Sequence, residues 1–248
     1  MLMEPTIEHL RQMRLGAMAD AWLEQQKNPN ITELSFDDRF GLLVDAEQLS
    51  RVNRRVSSLR RKAKLRHASA CVEDVECGPQ RGLGKTTLHQ LAGCRWVVEH
   101  HNVIVTGATG AGKTYLACAL ANQACLKGHT TLYRRVTRLL DEIALARLDG
   151  TWPKLLDQLA KADVLVLDDW GLAPLTPQKR HDILEVLEDR EGLRATIVTS
   201  QLPHPQWHEY IGDPTVADAI LDRVVHRAYK VNLTGPSRRK PKTNPTED

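Results

Sequence analysis

Residues Gly107-Ala108-Thr109-Gly110-Ala111-Gly112-Lys113-Thr114 fit G-x-x-x-x-G-K-[ST] at every fixed position. Glycines there let backbone N–H groups turn inward around an anion, where a Cβ would crowd the turn. In such a loop the ammonium of Lys113 reaches toward β- and γ-phosphates, and the Thr114 hydroxyl is placed to ligate Mg²⁺. The spacing therefore points to the gripping of a triphosphate, with ATP and Mg²⁺ as the expected cofactors. A tight turn with a chance lysine would read the same way, so the flanks decide. A β-branched run from Asn102 leads in, and an alanine-rich helix from Lys113 to Lys127 leads out. A second stretch, Gly78 to Thr86, also ends in Gly-Lys-Thr but has Pro79 where the motif needs glycine, and no strand precedes it. It is rejected as a phosphate site.

Val164-Leu165-Val166-Leu167-Asp168-Asp169 is an apolar run ending in two acids. Carboxylates at the end of a central strand are costly unless they meet a cation or water. Behind a phosphate loop, Asp168 is the candidate for touching Mg²⁺ directly or through one of the ion's other ligands, and Asp169 for orienting an attacking water. The plain alternative is a polar strand end before the Trp170-Gly171 turn. Thr199-Ser200-Gln201 ends the next apolar run. Ser200 and Gln201 are both candidates to touch the water or the γ-phosphate, and a simple turn reads equally well. Ala217 to Arg227 has a helical apolar face of Ile220, Leu221, Val224 and Val225, with Arg223 projecting from it. A surface salt bridge is the ordinary role for such an arginine. In assemblies where subunits complete one another's sites, an arginine here reaches the neighbour's γ-phosphate.

These groups need elements to hold them. Short apolar runs at 102–106, 130–136, 164–167, 195–199 and 229–233 alternate with helical patterns, which predicts a parallel sheet with helices on both faces. Upstream, Thr6 to about Lys27 reads as one amphipathic helix ended by Asn28-Pro29-Asn30. A second helix starts at Ser35, with Asp38 answering the cap three residues later. It runs on into a basic stretch, Arg51 to Arg66, that contains no acid. Most such runs are solvated faces; the local excess of charge also suits a phosphate backbone, with Arg54, Arg55 and Arg61 as candidates. The expected organisation is a helical N-terminal domain (1–70), a linker (71–96) that ends in a short helix, an α/β core (97–236) and a basic, disordered tail (237–248).

Composition adds limits rather than direction. With 248 residues, 42% hydrophobic and 26% charged, the chain is an ordinary globular one, and a net charge of +3 permits nucleic acid without arguing for it. Five cysteines without a C-x-x-C pair, no secretory leader and no bilayer-length apolar run predict a reduced, cytoplasmic protein with no membrane partner. His204 and His208 are four apart, but no third ligand lies near and zinc is set aside. Trp152, Trp170 and Trp207 read as packing residues.

At this point the longer strings matter. Thr106 to Leu120, Leu167-Asp168-Asp169-Trp170-Gly171-Leu172-Ala173-Pro174-Leu175, Thr199-Ser200-Gln201-Leu202-Pro203 and Ile211 to Arg223 resemble the IstB-like helper ATPases of bacterial insertion sequences. That family lies close to DnaC-type loaders and DnaA-type initiators within the AAA+ group. The resemblance covers nearly the whole chain. It implies an AAA+ core behind a small all-α domain, ATP hydrolysis completed between subunits, and assembly on duplex DNA as a ring, spiral or filament. It also implies a transposase as partner. Lys113 and Thr114 match the family's nucleotide positions, Asp168 and Asp169 its acidic pair, and Arg223 its finger; Arg239 is a candidate sensor. Initiator-type relatives touch nucleic acid with helices inserted between the second and third strands. Arg134, Arg135 and Arg138 stand at that entry and are the DNA candidates there. Three other readings keep parts of this chemistry: a replicative helicase loader, a small-molecule phosphotransferase, and a nucleotide-gated DNA clamp that does not hydrolyse.

Overall fold

β-branched and leucine-rich runs of five to seven residues form five strands: β1 (Asn102–Gly107), β2 (Thr131–Arg135), β3 (Val164–Trp170), β4 (Ala195–Ser200) and β5 (Ala228–Leu233). All neighbours pair in parallel, in the order β2-β3-β4-β1-β5. A computed structural model of the chain describes residues 3–238. The chain divides into two units, Met1–Ser58 and Leu59–Asp248, and the sheet belongs to the second.

In the first unit, α1 (Met3–Gln12) and α2 (Gly16–Lys27) replace the single helix expected from Thr6 to Lys27. The break falls at Arg14, which takes φ +62°, while Leu15 N–H returns to Leu10 O. Helical spacing on either side of a three-residue turn reads as continuous, which is why the sequence concealed it. Ser35 caps α3 (Phe36–Ala63) as expected: its Oγ accepts from Asp38 N at 3.1 Å and donates to the Asp38 carboxylate at 2.6 Å. Glu47 of α3 is buried, accepts from the N–H groups of Ala17 and Met18 at the start of α2, and pairs with Arg51 and Arg54. The basic run is thus partly neutralised by an acid one turn before it.

The second unit begins inside α3, because Ala63, Leu65 and Ala70 are buried in the core that covers the sheet. Residues 71–96 are not a linker. They carry α4 (Lys85–Ala92) and the start of α5 (Arg95–Val98), and bury Val72, Leu83, Leu91, Cys94 and Trp96 in that same core. A 3₁₀ turn at Pro79–Arg81 and a left-handed Cys94 break the periodicity that would have announced this.

Beyond β1 come α6 (Lys113–Leu126), α7 (Val136–Leu148), α8 (Trp152–Lys161), α9 (Pro177–Glu188), α10 (Trp207–Ile211) and α11 (Pro214–Val225). A parallel sheet covered on both faces has apolar residues on both, and β3 divides them. Val164 and Val166 join α6 in one core, whereas Leu165 and Leu167 join residues of α7, α8, α9 and α11 in the other. One polar side chain ties distant elements together. Asn102, at the start of β1, donates to Arg223 O at 2.8 Å and Val224 O at 3.2 Å near the end of α11, and accepts from Thr196 N at 2.8 Å. Among the described residues no helix is long and apolar enough to cross a membrane.

Candidate nucleotide site

β1 delivers the chain to Gly107 at φ +143°, where an added Cβ would lie 2.2 Å from Leu233 O. Gly112, at φ +100°, then turns the loop into α6. No side chain caps α6, so the N–H groups of its first turn remain available to an anion. Lys113 is buried and donates from Nζ to Gly107 O and Ala108 O, each at 2.9 Å. The loop borders a cavity of about 430 Å³ whose wall includes Thr109, Lys113, Thr114, Asp169, Gln201 and Arg238. Uncapped amides, an ammonium, a hydroxyl and a carboxylate on one wall fit a triphosphate with its divalent cation. Among the described residues no group of three or more His, Cys, Asp or Glu is arranged to hold a metal.

The two acids differ in setting. Asp168 is fully buried, and three hydroxyls donate to it: Thr114 at 2.9 Å and Thr199 at 2.6 Å to Oδ1, and Tyr133 at 2.5 Å to Oδ2. Burial, followed by the bond to Asp168, pushes the Tyr133 phenol far above its ordinary value, so it stays a donor. Asp168 thus meets the cavity wall at the Thr114 hydroxyl. Asp169 lines the cavity directly, accepts from Arg135 Nε at 2.7 Å and has φ +62°.

Of the two strand-end candidates, Ser200 is fully buried, donates to Trp170 O and accepts from Leu202 N. Gln201 instead lines the cavity and accepts from Thr109 Oγ1 at 2.8 Å. Arg223 is engaged within its own chain: Nη2 lies 2.9 Å from Glu188 Oε1, Nε 3.2 Å from Glu191 Oε2, and Nη1 donates to Ala219 O.

The DNA candidates separate. Arg134 is largely buried and paired with Glu142 at 3.1 Å, and Arg135 is committed to Asp169, so only Arg138 of the three is exposed. Two of these residues expected to face DNA thus have acidic partners inside the protein, because β2 turns straight into α7 and carries them back over the core. Arg54, Arg55 and Arg61 are exposed, with Arg54 paired to Glu47.

Sequence reasoning passed over three residues. Thr199 and Tyr133 reach Asp168 from neighbouring strands, and no spacing rule links them to it. Arg81, inside the rejected Gly78–Thr86 stretch, donates from Nη2 to Ala111 O at 2.6 Å and so braces the loop from outside. The tail adds a fourth contact. Arg238 N–H donates to Gly110 O at 3.0 Å, and its guanidinium pairs with Glu76. Ser237 and Arg238 are therefore packed on the loop rather than part of a disordered tail; residues 239–248, including Arg239, lie outside the described residues.

Comparison with known proteins agrees with this geometry. The profile of the IstB-like ATP binding proteins matches residues 8–245. A Sinorhizobium fredii protein named as an insertion-sequence ATP-binding protein, y4pL, is 47% identical over 240 residues, covering 97% of this chain and 98% of that one. A Pseudomonas fluorescens protein named as the ATP-binding protein of insertion sequence IS1162 is 49% identical over 203 residues, covering 82% and 88% respectively. Among solved structures, DnaI superposes with a TM-score of 0.57 at 28% identity, covering 69% of this chain and 91% of that one. The DnaC helicase loader gives the same TM-score at 20% identity, covering 68% and 99%, a likeness of fold. The loop, the acidic pair and a match along nearly the whole length place this chain in the family of IstB-like ATP-binding proteins, helpers associated with insertion-sequence transposition.

Proposed function

We propose that this chain is an ATP-hydrolysing helper that assembles in several copies on duplex DNA and recruits or activates a transposase. The observation that carries the reading is the meeting of an uncapped helix start, Lys113, Thr114 and Asp169 around one cavity.

In this reading the amides at the start of α6 and the Lys113 ammonium hold the phosphates, and Lys113 exchanges its two loop carbonyls for them. Asp168 accepts the hydrogen bond of the Thr114 hydroxyl and so turns the Thr114 lone pairs toward the cavity. The Thr114 hydroxyl would help to hold Mg²⁺, whose positive charge would offset the negative charge that develops on the phosphates. Asp169 orients the attacking water once Arg135 releases it, and Gln201 touches the same water or the γ-phosphate from β4. Arg223 reaches a neighbouring copy's phosphate after leaving Glu188 and Glu191. Arg138, Arg54, Arg55 and Arg61 contact the DNA backbone.

Nucleotide titration of the wild type and of Lys113→Ala tests the core of this. Loss of charge-assisted bonds should weaken Mg-ATP binding by ~10- to 100-fold. Equal affinity in the two proteins would end the phosphate-loop reading.

A further inference from the structure

We infer that Thr199 is a positioning residue for hydrolysis: its single hydroxyl holds both acids of the pair on the nucleotide side of the sheet. This rests on the proposed ATPase reading and adds a residue that lies outside both motifs.

Along β3 the side chains alternate strictly up to Asp168. Val164 and Val166 face the α6 core, Leu165 and Leu167 the opposite one, and Asp168 meets Thr114 of α6. Continued alternation would send Asp169 to the Leu167 side, away from the phosphates. It does not go there. The pairing of β3 with β4 slips between Leu167 and Trp170, and Asp169 takes φ +62°, a region that L side chains seldom occupy. The extra residue restores Trp170 to the Leu165 and Leu167 core and leaves Asp169 on the cavity wall. Two consecutive carboxylates therefore share one face, which a regular strand cannot offer.

Thr199 lies beside this bulge on β4 and is fully buried. Its Oγ1 accepts from Asp169 N at 3.0 Å and donates to Asp168 Oδ1 at 2.6 Å. One group thus satisfies the peptide N–H that the bulge frees and fixes the carboxylate just before it. A valine would fill the same space but meet neither need, leaving a buried N–H and a carboxylate oxygen short of a partner. The cheapest relief is for the bulge to relax, which moves Asp169 away from the water it orients. Phosphate binding, built on β1 and α6, would be spared.

The test compares Thr199→Val, Thr199→Ser and Asp169→Asn in the full chain, with Mg-ATP affinity and turnover both measured. Thr199→Val should lower kcat by ~10- to 100-fold, the scale of a small misplacement of a catalytic group. Its ATP affinity should stay near the wild-type value, and Thr199→Ser should regain most of the rate. Thr199→Ala carries the same expectation as the valine variant and serves if that protein does not fold. Wild-type turnover in the variants without the hydroxyl, a serine variant as slow as valine, or ATP affinity falling in step with kcat would each overturn the inference. An active Asp169→Asn protein would overturn the water-orienting reading and this inference with it. An inactive Asp169→Asn beside a fully active Thr199→Val would overturn the inference alone.

Discussion

Arg135 Nε lies 2.7 Å from Asp169 Oδ2, so strand β2 holds the carboxylate that the bulge of β3 presents. The arginine is partly exposed and the acid mostly buried, a setting in which an ion pair is worth little but is not negligible. In the proposed reading Asp169 leaves Arg135 before it serves a water molecule. Arg135→Ala should therefore raise ATP turnover without DNA by up to about fivefold, the factor that corresponds to a pair of ~1 kcal/mol. Steady-state phosphate release checks this, and a fall in turnover would mean that Arg135 belongs to the working site.

Arg134 and Arg138 separate by their partners. Arg134 is paired with Glu142, whereas Arg138 is exposed. Each phosphate contact contributes about 0.9 to the slope of log affinity against log salt on duplex DNA. Arg138→Ala should flatten that slope by about one contact, and Arg134→Ala should leave it alone. Anisotropy with a labelled duplex across a salt series reads both. A slope that responds to Arg134 and not to Arg138 would reverse the assignment.

Arg223 has both Glu188 and Glu191 against it. As a group acting on a neighbour's phosphate, its loss should lower turnover by ~10³-fold or more. Mixing Arg223→Ala with Lys113→Ala subunits should restore part of the rate, since some contacts then join an intact loop to an intact arginine. Mixtures as inactive as either variant alone would confine Arg223 to its own chain.

Glu47 gives the N-terminal helices a pH dependence. Its hydrogen bond from Arg51, then those from the N–H groups of Met18 and Ala17, hold its carboxyl below the ordinary value of 4.5 despite burial. A lowered carboxylate contributes stability above its unfolded pKa and loses it as pH falls through the folded one. Helix content of this unit should accordingly drop as the pH falls below the ordinary value of 4.5 in the wild type. In Glu47→Gln it should be lower at neutrality and flatter in acid. Circular dichroism over an acid titration checks the difference, and identical profiles would remove Glu47 from this role.

What the sequence made legible was local. The phosphate loop is eight contiguous residues with fixed spacing, and each strand carries its own apolar run, so sheet and loop were found to within three residues. What stayed hidden depends on contacts between elements. Asp168 and Asp169 look like a simple strand end because a bulge has no spelling of its own; only the slip against β4 reveals it. Arg135 looked like a surface cation until the parallel register placed it beside Asp168. Residues 71–96 read as a linker because their buried apolar side chains are spread over short helices and turns rather than along one periodic helix.

Asn102 has a consequence at larger scale. It fastens the last turn of α11, which bears Arg223, to the first residue of β1, and the same strand ends five residues later at Gly107. In the proposed assembly, the arginine offered to one neighbour and the loop that receives another neighbour's arginine are thus mounted at opposite ends of one rod, ~17 Å long at the usual rise of a strand. In a heterologous chain of identical copies, the step from one nucleotide to the next would then be inherited from inside each protomer. Shortening or kinking β1 would alter the pitch of the whole array while leaving every contact surface unchanged.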